Sequence, residues 1–408
     1  MIYRNLFNKA NQLLEQFPVI VLLGARQVGK TTLARQIRPN WRYLDLENPN
    51  DFELLTRDPV FFFKQFPENI IIDEAQEFPG LFAVLRGVID QNRQTKGRFI
   101  LTGSSSLELL TGISESLAGR IAILKLGTLK ANELYQQPLS DFYKLFSQKL
   151  NPDNLPKGKP LLTLAEMQKI WLRGGYPEPI LNYNNHYYTE WMANYRDTYI
   201  NRDIAKLFPH LNKSAYQRFL QMLCQLSGTM INKSQIGRSI EVSEKTISEY
   251  LNIVAGTFLW QPITSYEKDL SKSIVKMPKG YFTDNGLQHF LLKIHDQDDL
   301  YHHPKVGSSF EGFVIEELYK GLQALAITNW EFHFYRTRNQ AEIDLIIDGN
   351  FGVLPIEIKQ GSQVARRELM TLTRFIEEQN LPFGLLINQA EEALWLTPRI
   401  YQLPINWL

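Results

Sequence analysis

Residues 18–37 contain the feature that most restricts the fold, because an apolar run, a glycine-containing turn and a helix-forming run follow one another directly. The turn, from Gly24 to Thr31, has the spacing G-x-x-x-x-G-K-[ST] that cradles phosphate groups. The run before it is continuously apolar, which is typical of a strand buried on both faces of a parallel sheet. The sequence therefore predicts an α/β domain with a phosphate-binding loop at a helix N-terminus.

The positions of this loop have distinct predicted roles. Gly24 and Gly29 let the backbone adopt positive φ, so that its N–H groups curl around an anion. Lys30 is predicted to reach the β- and γ-phosphates of ATP, and the Thr31 hydroxyl to ligate Mg²⁺. The residues expected to bind the nucleotide, as ATP or ADP, are Gly24, Ala25, Arg26, Gln27, Val28, Gly29, Lys30, Thr31 and Thr32.

A second apolar run, residues 70–72, is followed by two adjacent carboxylates, Asp73 and Glu74. Asp73 is predicted to complete the Mg²⁺ shell, and Glu74 to orient or deprotonate the attacking water. A solvated strand end is the alternative interpretation, but packing alone explains two adjacent carboxylates poorly.

Two later segments also place polar side chains beside apolar runs. The strand candidate 99–102 ends at Thr102, and Ser104 follows two residues later. Arg120 directly precedes the run 121–125. Ordinary turn chemistry explains a Thr-Gly-Ser sequence equally well. A surface arginine at a strand start explains Arg120 equally well.

Together these segments resemble a family of bacterial and archaeal AAA-type P-loop ATPases with a C-terminal domain of unknown function. The resemblance implies that Thr102 or Ser104 is a sensor between the attacking water and the γ-phosphate, and that Arg120 is an arginine finger. A finger acting in trans would require an oligomer. The segments that carry the resemblance are 24–33, 71–76, 102–106, 117–120, 173–178, 201–204 and 279–287.

Composition limits the remaining possibilities. The formal net charge is +1, so nucleic-acid binding would need a local basic patch rather than a global field. The one cysteine, Cys224, excludes a disulfide framework and a cysteine-based zinc site. The N-terminus lacks a signal-peptide hydrophobic region, and no apolar run approaches the ~20 residues of a membrane span. We therefore expect no membrane partner and a cytoplasmic location.

The order of strand and helix patterns predicts three domains, residues 1–150, 160–290 and 300–408. The first alternates strands and helices, as an α/β parallel sheet requires. A Pro- and Asn-rich linker, residues 151–160, follows it, and helical patterns then predominate to about residue 257. The strand candidates of the first domain are Val19–Leu23, Tyr43–Leu46, Ile70–Asp73, Phe99–Thr102 and Ile121–Lys125.

The middle domain contains a winged-helix-like order. Residues 232–240 and 244–255 read as two helices around a turn, and two strands with a charged tip at 267–273 follow. The second helix would be the one that reads a DNA groove, but Glu244 and Glu249 on it would face phosphates unfavourably. A packing or regulatory module between domains is the favoured alternative.

The C-terminal domain contains a candidate metal site. Asp344 lies on one strand, and Glu357 and Lys359 lie on the same face of a second strand thirteen residues further on. Carboxylates suit Mg²⁺, and a lysine beside them would act on a bound water or a phosphate. A helix upstream offers Glu311 as a further ligand, with Glu317 as the weaker candidate. A solvated pair of opposite charges is the alternative interpretation.

The order of helix, Asp strand, Glu-x-Lys strand and helix resembles the PD-(D/E)xK nuclease fold. Arg336 and Arg338, just before the Asp strand, would then contact a phosphate backbone. The predicted fold class is α/β: a parallel-sheet AAA-type ATPase domain, a helical winged-helix-like middle and a C-terminal restriction-endonuclease-like domain.

Three functions are compatible with these patterns. The first is Mg²⁺-dependent ATP hydrolysis by Lys30, Thr31, Asp73 and Glu74. The second is a nucleotide-gated switch with negligible turnover and a non-catalytic C-terminal interaction domain. The third is an ATP-gated nuclease that acts on DNA.

Overall fold

The computed structural model describes residues 2–104, 117–182, 184–204, 208, 210–267, 277–337 and 340–408. Arg338, the wing tip after Glu267, and Ser105 and Ser106 of the Thr-Gly-Ser segment lie outside these ranges. None of the described helices is both long and apolar enough to cross a membrane. The chain forms two compact units, residues 1–128 with 253–259, and residues 129–252 with 260–408.

This division differs from the three domains expected from the sequence. The first boundary falls near residue 128 rather than 150, and the predicted middle and C-terminal domains share one unit. The physical reason is backbone hydrogen bonding, because the strand at 260–265 pairs in parallel with the strand at 330–336. One sheet therefore contains strands from both predicted domains.

The first unit is built on a five-stranded parallel sheet, as predicted. Its helices are α1 (Leu6–Gln16), α2 (Lys30–Ile37), α3 (Pro49–Thr56), α4 (Pro59–Gln65) and α5 (Leu81–Gln91). Its strands are β1 (Val19–Leu23), β2 (Arg42–Asp45), β3 (Ile70–Asp73), β4 (Phe99–Gly103) and β5 (Ile121–Lys125). The strand order is β2-β3-β4-β1-β5.

The central strands are buried because their sequences are apolar on both faces. Every residue of β1, β3 and β4 is buried, and helices α4 and α5 add phenylalanine, leucine and isoleucine side chains to the same core. Strand β4 pairs with both β1 and β3. The polar end of β4 therefore lies between the phosphate loop after β1 and the carboxylates at the end of β3.

The second unit contains an eight-stranded mixed sheet with order β12-β13-β11-β10-β9-β8-β6-β7. Its strands are β6 (Trp260–Ser265), β7 (Lys279–Phe282), β8 (Trp330–Arg336), β9 (Glu342–Gly349), β10 (Gly352–Ile358), β11 (Gly384–Asn388), β12 (Leu394–Thr397) and β13 (Ile400–Pro404). Strands β8, β9 and β10 form an antiparallel meander, and β10 pairs in parallel with β11.

The helices described from residue 129 onwards follow in chain order. They are α6 (Ala131–Leu134), α7 (Leu164–Arg173), α8 (Pro177–Leu181), α9 (Asn185–Tyr195), α10 (Lys213–Leu226), α11 (Lys233–Ile240), α12 (Glu244–Gly256), α13 (Asn285–Leu291), α14 (Gln297–His302), α15 (Val306–Ala324) and α16 (Met370–Glu378). Helix α15 has eleven buried residues among its nineteen, and its apolar ones join a large core of the unit.

The helix-turn-helix order expected in the middle is present as α11, a turn at Glu241, and α12. The side chain of Asn232 caps α11 by accepting from the N–H of Gln235 at 3.0 Å. Strands β6 and β7 then pair as an antiparallel hairpin. This hairpin is not a free wing, because β6 also pairs with β8 of the large sheet.

Candidate nucleotide site and a second carboxylate cluster

Of the two loop glycines predicted to adopt positive φ, Gly29 does so and Gly24 does not. Gly29 has φ +93° immediately before α2, and Gln27 has φ +62°. A Cβ atom at Gly24 would lie 2.2 Å from the carbonyl oxygen of Leu126, so no larger residue fits there without a backbone shift. Gly29 thus supplies the left-handed conformation, and Gly24 supplies the close approach of two backbone segments.

Lys30 lies inside this loop. Its Nζ donates to the carbonyl oxygens of Gly24 at 3.0 Å and Ala25 at 2.9 Å, and only 4% of the residue is exposed. Burial lowers the pKa of Lys30, and the charges of Glu74 and Asp73 oppose that shift. The ammonium group is therefore held where phosphate oxygens would replace the loop carbonyls as its partners.

Asp73 is surrounded by hydroxyl donors. Thr31 Oγ1 donates to Asp73 Oδ2 at 2.7 Å, and the Tyr43 hydroxyl donates to the same oxygen at 2.6 Å. The Thr102 hydroxyl donates to Asp73 Oδ1. The two predicted Mg²⁺ ligands, Thr31 and Asp73, are thus in direct contact. Sequence reasoning missed Tyr43, and burial together with the Asp73 hydrogen bond raises its pKa.

Glu74 is held in an unusual backbone conformation at the end of β3. Its φ is +50°, which is costly for a residue with a side chain. Ser104 Oγ donates to Glu74 Oε2 at 3.1 Å, and Gln76 Nε2 donates to the same oxygen at 2.5 Å. The N–H of Glu74 donates to Thr102 Oγ1 at 3.2 Å. Each candidate sensor residue therefore contacts a different part of the acidic pair.

The residues present fit a magnesium–nucleotide complex. Thr31 and Asp73 offer a hydroxyl and a carboxylate oxygen, which are the ligand types that Mg²⁺ prefers. Mg²⁺ usually takes only one or two protein ligands in such sites and completes its shell with phosphates and waters. The contact between these two side chains is therefore sufficient for the protein's share of the shell.

The two arginines proposed for this site both have partners elsewhere. Arg120 donates to Asp90 Oδ1 at 2.8 Å from Nε and to Oδ2 at 2.9 Å from Nη2. Arg26 donates to Glu47 through its guanidinium group. Contact between Arg120 and a phosphate, in the same chain or another, would require the pair with Asp90 to open.

Arg4 is a structural residue of the loop that sequence reasoning missed. Its Nη1 donates to the carbonyl oxygen of Val28 at 2.7 Å, and its Nη2 donates to that of Gly127 at 2.7 Å. The side chain thus ties the loop to the segment after β5. Nothing in the local sequence around Arg4 indicates this role, because both acceptors are backbone atoms.

The C-terminal candidates Asp344, Glu357 and Lys359 do meet at the paired strands β9 and β10. Lys359 Nζ lies 2.5 Å from Glu357 Oε1 and 3.6 Å from Asp344 Oδ2. The N–H of Ile358 donates to Asp344 Oδ2 at 2.8 Å. The predicted pairing of the two strands therefore brings these side chains together.

Glu311 on α15 has partners from strand β7 that the sequence did not predict. Lys279 Nζ lies 3.1 Å from Glu311 Oε1 and 2.5 Å from Glu342 Oε1. The Tyr281 hydroxyl donates to Glu311 Oε1. Lys279 is only 4% exposed, so this ammonium group is buried among carboxylates.

The acids of this cluster repel one another. Burial and the charge of Asp344 raise the pKa of Glu311 to about 7, although Lys279 and Tyr281 lower it. Burial and Asp344 likewise raise the pKa of Glu357 to about 8, although Lys359 lowers it. Burial lowers the pKa of Lys279, but Glu311 and Glu342 outweigh burial and raise it overall.

The predicted metal site of Glu311, Asp344 and Glu357 is not assembled. Within the described ranges, no group of three or more His, Cys, Asp or Glu side chains is arranged to hold a metal ion. The carboxylates have the right chemistry for Mg²⁺, but Lys279 and Lys359 take their oxygens as partners. Glu357 Oε2 is the exception, since it is buried with no hydrogen-bond partner among the described residues.

The other candidates near this cluster have mixed outcomes. Glu317, the weaker alternative to Glu311, lies in a separate buried pair, with its Oε2 3.1 Å from Lys130 Nζ. Arg336 Nη1 lies 3.9 Å from Glu342 Oε2, beside the cluster. Glu317 is therefore a packing residue of α15 and not a ligand candidate.

Comparisons with known proteins agree with the organisation of the chain. A family model described as AAA domain matches residues 16–135, and two described as domains of unknown function, DUF8612 and DUF4143, match residues 164–298 and 306–408. The family-model matches thus support the AAA-type ATPase and do not identify the C-terminal region as a nuclease.

Solved structures with similar folds include the Walker-type ATPase PABY2304 of Pyrococcus abyssi. It is 15% identical with a TM-score of 0.45, and the match covers 70% of this chain and 94% of that one. The RuvB Holliday junction branch migration motor of Thermotoga maritima is 16% identical with a TM-score of 0.31, covering 64% and 89%. Such low scores carry no functional weight.

Two curated relatives are much closer in sequence. They are the proteins Mb2031c of Mycobacterium bovis and Rv2008c of Mycobacterium tuberculosis, both described as uncharacterized. Each is 32% identical over 352 residues, which cover 86% of this chain and 72% of the relative. The chain therefore belongs to the same family as these mycobacterial proteins, and it carries an AAA-type P-loop ATPase domain.

Proposed function

We propose that the first unit binds ATP with Mg²⁺ and hydrolyses it. The observation that carries the proposal is the hydrogen bond from Thr31 Oγ1 to Asp73 Oδ2 at 2.7 Å. Thr31 directly follows Lys30, whose ammonium group donates to the loop carbonyl of Gly24. A metal ligand pair and a phosphate-binding lysine are the parts that phosphoryl transfer requires.

Each side chain has an assigned task in this proposal. Lys30 exchanges the Gly24 and Ala25 carbonyls for the β- and γ-phosphates, where its charge stabilises the transition state. Thr31 and Asp73 bind the metal ion. When bound, Mg²⁺ neutralises the negative charge that develops on the phosphate oxygens.

Glu74 is assigned as the group that positions and deprotonates the attacking water. Ser104 and Gln76 both donate to its Oε2, so we assign Oε1 as the atom that accepts the proton. Fixing one oxygen in this way orients the carboxylate before the substrate binds. The positive φ of Glu74 supports a functional constraint at this position.

The test is Glu74→Gln with turnover and nucleotide binding measured separately. We expect hydrolysis to fall by roughly 10²–10⁴-fold while ATP binding is retained, because the amide cannot accept the proton. Glu77→Gln makes the same substitution three residues later and serves as the control. Normal turnover by the Glu74 variant would refute the role. Tight binding with no turnover by the unaltered protein would instead identify a nucleotide-gated switch.

A second candidate function is phosphodiester cleavage of DNA by the C-terminal cluster. The convergence of Asp344, Glu357 and Lys359 favours it, together with the unpartnered Glu357 Oε2. In the conformation described, Lys279 and Lys359 occupy carboxylate oxygens that a metal ion would need.

DNA cleavage is tested on single- and double-stranded DNA with Mg²⁺ or Mn²⁺, in the absence and presence of ATP. We expect Asp344→Asn and Glu357→Gln to remove any cleavage and to leave ATP binding intact. The absence of cleavage by the unaltered protein in every nucleotide state would refute cleavage by the cluster in the conformation described.

A further inference from the structure

The carboxylate cluster of the second unit contains the ammonium group of Lys279, a residue of strand β7. Lys279 projects from β7 and contacts Glu311 at 3.1 Å and Glu342 at 2.5 Å. The same strand supplies Tyr281, whose hydroxyl donates to the same Glu311 oxygen. Strand β7 thus provides both described donors to Glu311 Oε1.

Strand β7 is held close to its neighbour at Gly280. A Cβ atom there would lie 2.3 Å from Trp260 Nε1 and 2.4 Å from Trp260 Cε2, so the indole ring packs directly on the glycine backbone. The residues on either side of this contact are Lys279 and Tyr281. Close packing at Gly280 therefore sets the position of both donors relative to Glu311.

The remaining acids of the cluster are incompletely compensated. Glu357 is 5% exposed, and its Oε2 has no hydrogen-bond partner among the described residues. Lys359 Nζ lies 2.5 Å from Glu357 Oε1 and 3.6 Å from Asp344 Oδ2, so the unpartnered oxygen belongs to the same cluster. A buried carboxylate oxygen without a donor points to a missing cation or proton.

We propose that Lys279 is a built-in cation that keeps this cluster closed to a divalent metal ion. Its ammonium group neutralises Glu311, which would otherwise combine with Asp344 and Glu357 into a three-carboxylate set of the hard oxygen ligands that Mg²⁺ and Mn²⁺ prefer. Removing the positive charge at position 279 opens the metal site. The inference rests on the second candidate function only where it concerns what the metal site is used for. Metal binding can be measured whether or not the protein cleaves DNA.

The experiment measures Mn²⁺ binding to the full chain by electron paramagnetic resonance. All proteins carry Asp73→Asn, which removes the carboxylate proposed as a metal ligand at the nucleotide site. We expect Lys279→Met to bind Mn²⁺ at least about tenfold more tightly than this parent, because a repelling buried charge is lost. Adding Asp344→Asn or Glu357→Gln should remove the gain.

Two matched controls separate charge from packing. Lys279→Arg keeps the positive charge, so its Mn²⁺ affinity should equal that of the parent. Tyr281→Phe removes a donor to Glu311 without removing a charge, so it should raise the affinity less than Lys279→Met does. If Lys279→Met does not fold by circular dichroism, Lys279→Gln gives the same test with a side chain that hydrogen-bonds the carboxylates.

Two results would overturn the proposal. One is equal Mn²⁺ affinity of the parent and a folded neutral variant. The other is a gain that persists when Asp344 is changed, because the metal would then lie elsewhere. DNA cleavage is measured for the same Lys279 substitutions in proteins that keep Asp73, in the absence and presence of ATP. A Lys279→Met protein that gains Mn²⁺ but cuts no DNA would refute the nuclease function alone.

Discussion

The two carboxylate clusters of this protein both lie at paired strands, yet their partners differ in kind. Around Asp73 the side-chain donors described are hydroxyl groups. Around Glu311 and Glu357 the partners include the ammonium groups of Lys279 and Lys359. A hydroxyl group orients a carboxylate without cancelling its charge, whereas an ammonium group cancels it. The first cluster thus keeps the negative charge that the proposed metal ion would need, whereas the second already contains its cations.

The strongest test of this contrast is the same substitution at each cluster. Asp73→Ala should lower ATP turnover by at least roughly a hundredfold, because metal-assisted charge stabilisation amounts to several kcal/mol. Asp344→Ala should leave turnover unchanged. Both are measured by phosphate release at saturating ATP and Mg²⁺. Equal losses in the two variants would show that the clusters do not act separately.

The phosphate loop should also be less tolerant of added volume than a helix surface. Gly24→Ala should lower the free energy of unfolding by ~1–3 kcal/mol, because the new Cβ would meet the Leu126 carbonyl oxygen. A Cβ atom at Gly87 on α5 would meet no atom within 4 Å. Gly87→Ala should therefore raise the free energy of unfolding by ~0.5–1 kcal/mol. Denaturant titration measures both. A tolerated Gly24→Ala would show that the loop backbone adjusts.

The carboxylate cluster of the second unit should make the stability of the protein depend on pH. Folding raises the pKa of Glu311 to about 7 and of Glu357 to about 8, from an ordinary value of 4.5. The folded state then binds more protons than the unfolded state above pH 4.5, so this stability is complete below that pH and is lost as pH rises through about 8.

Thermal unfolding in EDTA from pH 5 to pH 9 measures this effect. Each pKa unit corresponds to about 1.4 kcal/mol, so the unaltered protein should lose stability over this range relative to Glu357→Gln. Parallel pH profiles of the two proteins would contradict the raised pKa of Glu357.

The smallest effect is expected at Arg120. Its pair with Asp90 lies at the surface, and such pairs contribute little to stability. Arg120→Ala should therefore leave the melting temperature nearly unchanged. If Arg120 acts as a finger in trans, turnover per chain rises with protein concentration, and the substitution removes that rise. Concentration-independent turnover that the substitution does not alter would refute the finger role.

Much of the first unit follows from local sequence. The apolar runs predict the strands of its sheet, because a strand buried on both faces must be apolar throughout. The contact between Thr31 and Asp73 could also be anticipated, since the C-terminal ends of parallel strands share one edge of the sheet. The contact of Tyr43 with Asp73 could not be anticipated. The Tyr43 hydroxyl reaches Asp73 from the neighbouring strand β2, and the register of β2 against β3 cannot be read from the sequence.

The second unit was less predictable. Asp344, Glu357 and Lys359 were expected together, because a hairpin's separation brings them onto paired strands. The presence of Lys279 in this cluster was not expected, because its partners Glu311 and Glu342 lie 32 and 63 residues away along the chain. The joining of the predicted middle and C-terminal segments in one compact unit was not anticipated for the same reason, since the pairing of β6 with β8 has no local sequence signal.

The sequence alone therefore specified the phosphate loop, the acidic pair and the apolar strands, because backbone conformation and side-chain periodicity are local properties. The tertiary structure decided which polar or charged group contacts each carboxylate. Hydroxyl groups meet Asp73 and an ammonium group meets Glu311 because of strand order and helix packing, which bring together residues that are distant in the chain. That choice of partner, and not the presence of carboxylates, determines which cluster is ready to bind a metal ion.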